Sequence, residues 1–375
     1  MDRGGHTMST ITHKNVFRTL EKWAPKSLAY DWDNVGLQVG NVHDETKKVL
    51  ITLDVTNDVV NEAIRHDVNL IIAHHPLLFQ SIKQIDFSTP KGKVIQKLIQ
   101  HNITVYAAHT NLDIAEGGVN DLLLDALDIS NRKNFIPFKE EALYKLVIFV
   151  PNTHETELRD ALSDAGAGHI GNYSHCTFRQ EGQGTFKPLD GTNPYIGSQN
   201  ELTFVDEIKL ETIVTENNMQ QVLQAMFQAH PYEEVAYDLY PLQQKGHTFG
   251  LGRIGTLDTP QSLMHFVERV KDAYGLEKVK VVGDVHAMIQ KVAVLGGSGE
   301  KYIAAAKKMG ADVYITGDLT FHHAQDGMEM GIHLIDAGHY IEQIMKQATK
   351  TYIEAKYPTL SVMESTINTN PFQFL

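Results

Sequence analysis

What constrains this chain most is a grammar used twice: short β-branched runs alternate with amphipathic helical stretches, first near the start and again near the end. In the first third, KVLITLD ends at Asp54, LIIAHH covers 70–75 and ITVYAAH covers 103–109. Between them, VVNEAIRHD and KVIQKLIQHN carry apolar residues at helical spacing, after an opening helix marked by Val16, Leu20 and Trp23. Strand, helix, strand, helix, strand predicts a parallel sheet with right-handed crossovers. The order returns in KVAVLGG (291–297), a helix over 302–309, DVYITGD (312–318), IHLIDAGH (332–339) and a helix through 341–352. We expect these two stretches to share one sheet. The fold class is then α/β: a discontinuous three-layer domain with a mainly parallel sheet, built from residues 1–140 together with 246–375.

Residues 141–245 read differently. Strand YKLVIFV, helix THETELRDALSDAG, strand NYSHCTFRQEG, a Gly/Pro/Asn-rich loop, strand LTFVDEIKLETIV, helix NNMQQVLQAMFQA and strand EEVAYDLYPL follow one another. That βαββαβ order, with YKLVIFVPNTHETELRDAL echoed by IKLETIVTENNMQQVLQAM, predicts an inserted ferredoxin-like α+β domain.

Composition narrows the function classes. Lys and Arg number 33 against 46 Asp and Glu, a net charge of −13, so nucleic acid and anionic membrane are poor partners. A single cysteine, Cys176, excludes an intramolecular disulfide framework and any Cys-rich metal site; on a predicted strand it reads as a buried structural thiol. The opening MDRGGHTMSTITHKNVFRTLEKW has no signal-peptide core, and the run Leu146–Val150 falls far short of the ~20 residues of a membrane span, so a reducing cytoplasm is expected.

Histidine stands out, with 19 in 375 residues, many at the ends of apolar runs. In open α/β sheets ligands bind beyond the carboxyl ends of strands. Five strands deliver suitable groups there: Asp54; His74 and His75; His109 and Asp113; Asp318, His322 and His323; His339 and Glu342. His and carboxylate without Cys suit zinc, iron or manganese. Adjacent histidines on extended backbone point to opposite sides, so His74 and His75 favour two ions with one ring each. His339 and Glu342, three apart at a helix start, can reach one ion. The loop LGGSG (295–299) is either a phosphate cradle or a tight strand-to-helix turn, and Ser298 within it is no nucleophile elbow. Arg253, Lys91 and Lys93 are candidate substrate cations or members of a solvated face.

The motifs DWDNVGLQVG, LIIAHHPLLF, YAAHTNLD, HPYEEVAYDLYPL, GLGRIG, DVYITGDLTFHHAQD and DAGHYIE together resemble the GTP cyclohydrolase 1 type 2 family, the Nif-three-like dinuclear metal proteins, in its long bacterial form. The resemblance implies two divalent ions per subunit (Zn, Fe or Mn) held by His74, His75, Asp113, His339 and Glu342. Asp54, His109, His322 and His323 then take supporting or substrate roles. Shorter members look to place the last Glu four residues after the His, whereas Glu342 follows His339 by three. The resemblance further implies a homohexameric ring and an insertion similar to PII and CutA proteins. The implied activity is metal-activated water opening the imidazole ring of GTP, with His109 or His322 shuttling protons and LGGSG holding phosphate. Two other readings stay open: a two-metal hydrolase of another phosphoester or amide, and a non-enzymatic metal-binding ring whose insertion senses a ligand.

Overall fold

A computed structural model describes residues 10–373; the first nine residues, on which the targeting expectation partly rests, lie outside them. The chain divides into two compact units, one of Met1–Phe138 with Phe249–Leu375 and one of Lys139–Thr248.

The first unit opens with strands β1 (Gly36–Val39), β2 (Lys48–Thr52), β3 (Leu70–Ala73) and β4 (Thr104–Ala107). The last three run parallel, and β1 pairs antiparallel with β4. Helices Asn57–Arg65 and Pro90–Gln100 make the crossovers, each opened by a threonine hydroxyl, Thr56 or Thr89, that accepts a first-turn N–H. Strand period sorts the side chains between two cores: Val49, Ile51, Leu70, Ile72 and Tyr106 enter one, Leu50, Ile71 and Val105 the other. These strands are therefore continuously apolar, as parallel strands covered on both faces must be. Each fully buried Ile or Leu contributes roughly 1.5–3 kcal/mol.

The second unit lies between two long strands, β5 (Arg132–Pro151) and β8 (Tyr237–Ser262), that carry the chain into and out of it. Between them come β6 (Thr177–Phe186) and β7 (Thr203–Thr215), with β7 antiparallel to both β5 and β6. Helices Glu155–Asp164 and Met219–Ala229 pack on a separate core of Leu146, Ile148, Leu158, Leu210, Val222 and Met226. Cys176 departs from expectation. It is half-buried and precedes β6, in a turn held by its N–H on the Gly168 carbonyl.

Back in the first unit are β9 (Lys280–Val282), β10 (Met288–Ser298), β11 (Val313–Gly317), β12 (His333–Asp336) and β13 (Ser361–Glu364). Strands β10, β11 and β12 are parallel, flanked by antiparallel β8 and β9. The two stretches thus build two sheets rather than the single one expected. The reason is edge closure: β1 and β13 flank β4 and β2, while β8 and β9 flank β10 and β12, so no inner strand keeps a free ladder edge for the other sheet. Among the described residues, no helix is long and apolar enough to cross a membrane.

Candidate metal centre

Because β2, β3 and β4 are parallel, their carboxyl ends open at one edge of the first sheet, and β11 and β12 do the same for the second. The chain beyond each end carries the polar groups. His74 and His75 follow β3, His109 and Asp113 follow β4, and His339 and Glu342 follow β12. Residues His339–Ile344 form a 3₁₀ turn instead of the start of an α-helix. In that geometry side chains three apart eclipse, which brings His339 Nε2 to 3.2 Å from Glu342 Oε2.

One carboxylate oxygen organises the cluster. Glu342 Oε2 lies 3.0 Å from His75 Nε2, 3.2 Å from His339 Nε2 and 3.7 Å from His74 Nε2, and His74 Nε2 is 3.4 Å from Asp113 Oδ1. Donors 2.0–2.1 Å from a tetrahedral ion stand about 3.3 Å apart, so these separations are compatible with the edges of a coordination polyhedron. Three overlapping groups result: His74, Asp113 and Glu342; His75, His339 and Glu342; His74, His75 and His109.

The far side of each ring explains its orientation. His74 Nδ1 donates to the Ala108 carbonyl at 2.8 Å, His75 Nδ1 to Asp54 at 2.7 Å, His109 Nδ1 to Asp33 at 2.9 Å and His339 Nδ1 to Asp318 at 2.7 Å. Fixing the proton on Nδ1 leaves Nε2 as a lone pair, the arrangement a metal requires. Asp54 is itself held by the Thr369 hydroxyl at 2.5 Å. Asp33 accepts from both the N–H and the hydroxyl of Thr110.

The residues fit metal ions on evidence internal to the chain. His74 Nε2 and Asp113 Oδ1 are buried without any hydrogen-bond partner, which is costly unless something else satisfies them. Without an ion, the cluster holds protons instead. Burial opposes charge on His75, but the Asp54 and Glu342 carboxylates outweigh it and push its pKa up to about 10. Glu342 and Asp318 raise His339 to about 9 against a smaller burial penalty. Burial alone would raise Glu342, yet the surrounding imidazoles hold it well below the usual carboxylate range.

Two cavities reach the cluster. One, of about 560 Å³, is lined by Trp32, Phe79, His109, Asp113, Gly297 and Lys301 among others. Another, of about 650 Å³, shares His75 and His339 with it and is otherwise lined by residues such as Asp54, Lys280, Tyr340 and Phe372.

Some sequence-derived candidates fall elsewhere. His322 stands exposed on helix Phe321–Glu329, 3.3 Å from Gln325, and His323 pairs with Thr320 and Glu300; neither enters the cluster. Arg253 is not a substrate cation. It is 3% exposed, and its guanidinium is taken up by Asp121 at 3.0 and 2.8 Å and by four backbone carbonyls. The LGGSG glycines serve close approach: Gly297 has φ +65°, and a Cβ there would sit 2.6 Å from Glu342 Oε1. The following helix, Ile303–Lys308, is a single short segment. Sequence reasoning did not single out Asp33 or Thr369 as site residues. An acid flanked by Trp32 and Asn34 just before a short strand was the available hint for Asp33.

Comparison with known proteins places this arrangement in a family. The chain is 48% identical over 373 residues to a Halalkalibacterium halodurans protein named GTP cyclohydrolase 1 type 2 homolog, covering 98% of this chain and 100% of that one. A Bacillus subtilis protein of the same name is 47% identical over 370 residues, covering 98% and 99%. The crystal structure of a Bacillus cereus protein related to NIF3 superimposes with a TM-score of 0.89 at 46% identity, covering 97% of this chain and 99% of that one. A Staphylococcus aureus crystal structure gives 0.75 at 34% identity, covering 98% and 100%. The profile of Duf34/NIF3 (NGG1p interacting factor 3) matches residues 11–371, a span that takes in all six clustered side chains, and the chain belongs to that family.

Proposed function

We propose that this chain is a two-metal hydrolase that opens the imidazole ring of GTP or a related purine nucleotide. The observation that carries the reading is the overlap of ligand groups: His74 with Asp113 and His75 with His339 each form a triad with the same Glu342. One shared carboxylate between two donor sets supports two neighbouring ion positions. The name borne by relatives at 47–48% identity supplies the substrate class. Zinc, iron and manganese all suit the donors.

Two bound ions supply Lewis acidity and a water acidified toward neutral pH. Around them, Asp54, Asp318 and the Ala108 carbonyl hold the rings of His75, His339 and His74 in the ligating tautomer. His109, its Nδ1 tied to Asp33, exchanges protons with the reacting ring through Nε2. Two waters are consumed. The first breaks a ring C–N bond to leave a formamide, and the second releases formate and leaves an amine.

The test is anaerobic purification with elemental analysis, followed by incubation with GTP and chromatography for formate and ring-opened product. We expect two ions per chain and product formation, both failing in His75→Ala. Two ions per chain with GTP untouched would overturn the purine reading and redirect the search to other esters and amides.

We also propose that the second unit is ferredoxin-like. Its four strands lie in the order β8, β5, β7, β6, which a split βαβ motif requires, with one helix after β5 and one after β7.

A further inference from the structure

Trp32 and Phe79 are large aromatic residues, 58% and 49% exposed, yet both line the cavity that reaches the metal cluster. They are not loose surface rings. Tyr30 stacks against one face of Trp32 at 5.3 Å and 15°, and the Tyr30 N–H is held by Thr110 Oγ1. The next residue, Asp33, is the carboxylate that orients His109. Asn34 then donates to the Leu78 carbonyl at 2.7 Å, stitching the Trp32 loop to the one bearing Phe79. Trp32, Phe79 and His109 meet pairwise at 5.7–6.3 Å and 62–70°, forming a three-walled aromatic corner. Lys301 lines the same cavity and makes no hydrogen bond or ion pair among the described residues. Its neighbour Tyr302 reaches the Tyr30 hydroxyl at 3.3 Å.

We propose that this corner is a stacking site for a planar heteroaromatic ring, with Lys301 meeting an anionic substituent of the same molecule. The proposal rests on the hydrolase reading above and narrows its substrate to ring-bearing anions. A preorganised indole backed on one side by Tyr30 offers the other side to a π-face at little entropic cost, and any flat base gains from it. A cavity of about 560 Å³ is of ligand size. An acyclic phosphoester would leave both rings in water, so the corner separates a ring substrate from a generic phosphoester. His109 forms the third wall, which sets a stacked ring directly against the group that exchanges protons.

The experiment is calorimetric titration of the metal-loaded full chain with GTP, ATP and ring-free tripolyphosphate. We expect at least one nucleotide to bind tenfold or more tightly than tripolyphosphate. Trp32→Ala and Phe79→Ala should erase most of that advantage, about tenfold each, with tripolyphosphate affinity and metal content unchanged. Trp32→Phe should retain most of it, and Lys301→Ala should weaken all three probes. Nucleotide affinity indifferent to Trp32→Ala and Phe79→Ala overturns the proposal, as does neither nucleotide outbinding tripolyphosphate. So does a change of oligomeric state in Trp32→Ala with nucleotide affinity intact, which would make the corner an interface between copies. GTP bound through Trp32 but returned intact would sink the hydrolase reading and leave the stacking site standing. GTP opened with kcat and KM unmoved by Trp32→Ala would do the reverse.

Discussion

The candidate metal centre has a deep half and an open half. The His74 and Glu342 side chains are 0% and 3% exposed, and Asp113 is 18% exposed. His339 and its partner Asp318 are 40% and 41% exposed, although the same Glu342 oxygen serves both halves. In the deep half His74 is held by a backbone carbonyl and Asp113 and Glu342 border one cavity, whereas His339 in the open half borders both. If the chain holds two ions as proposed, the difference predicts a division of labour in which the deep position would anchor and the open one would meet substrate.

Removing what the halves share should have the largest effect. Glu342→Ala is expected to abolish both ions by elemental analysis. It should also lower unfolding stability in urea by about 3 to 5 kcal/mol, because clustered imidazoles lose the buried charge that holds them. Splitting the halves comes next: His339→Ala should retain one ion per chain while activity disappears, and His74→Ala should release the deep ion. Equal metal loss in both variants would dissolve the distinction. Weaker effects belong to the orienting carboxylates. Asp318→Asn and Asp54→Asn should each reduce metal affinity about 10- to 100-fold, measured by competition with a chromophoric chelator.

The smallest effect is a pH dependence of the metal-free chain. His75 and His339 have pKa values raised from 6.5 to about 10 and about 9, so they bind protons more tightly folded than unfolded. Their contribution to stability is fully present below pH 6.5, fades as pH rises and is gone above about 10. Glu342, depressed below 4.5, contributes above that value and loses its contribution as pH falls through its folded pKa. Thermal melting of the metal-free chain should therefore decline toward both extremes, and His339→Gln should flatten the alkaline side.

Much of this centre was legible because strand direction is written in the sequence. Three parallel runs ending in Asp54, His74–His75 and His109 must deliver those groups to one edge, and the donor types name the chemistry. What stayed hidden was short or conformational. Strands β1, β9 and β13 are three or four residues long, too short to show a period, and they decide that there are two sheets. Arg253 sits in a glycine-rich run that reads as exposed, and only the fold reveals that Asp121 and four carbonyls satisfy it in the core. The tie from Thr369 to Asp54 joins residues 315 apart, beyond any local pattern.

That long-range assembly has a consequence for how ion and chain find each other. His75 and Glu342 are 267 residues apart, and no contiguous stretch of the ligand set offers more than a pair of donors. The unfolded chain would therefore compete poorly for an ion, and the candidate ligand set exists only in the finished fold. If ions bind as proposed, mass action would act in full: each tenfold of free metal above the dissociation constant would add about 1.4 kcal/mol to folding stability.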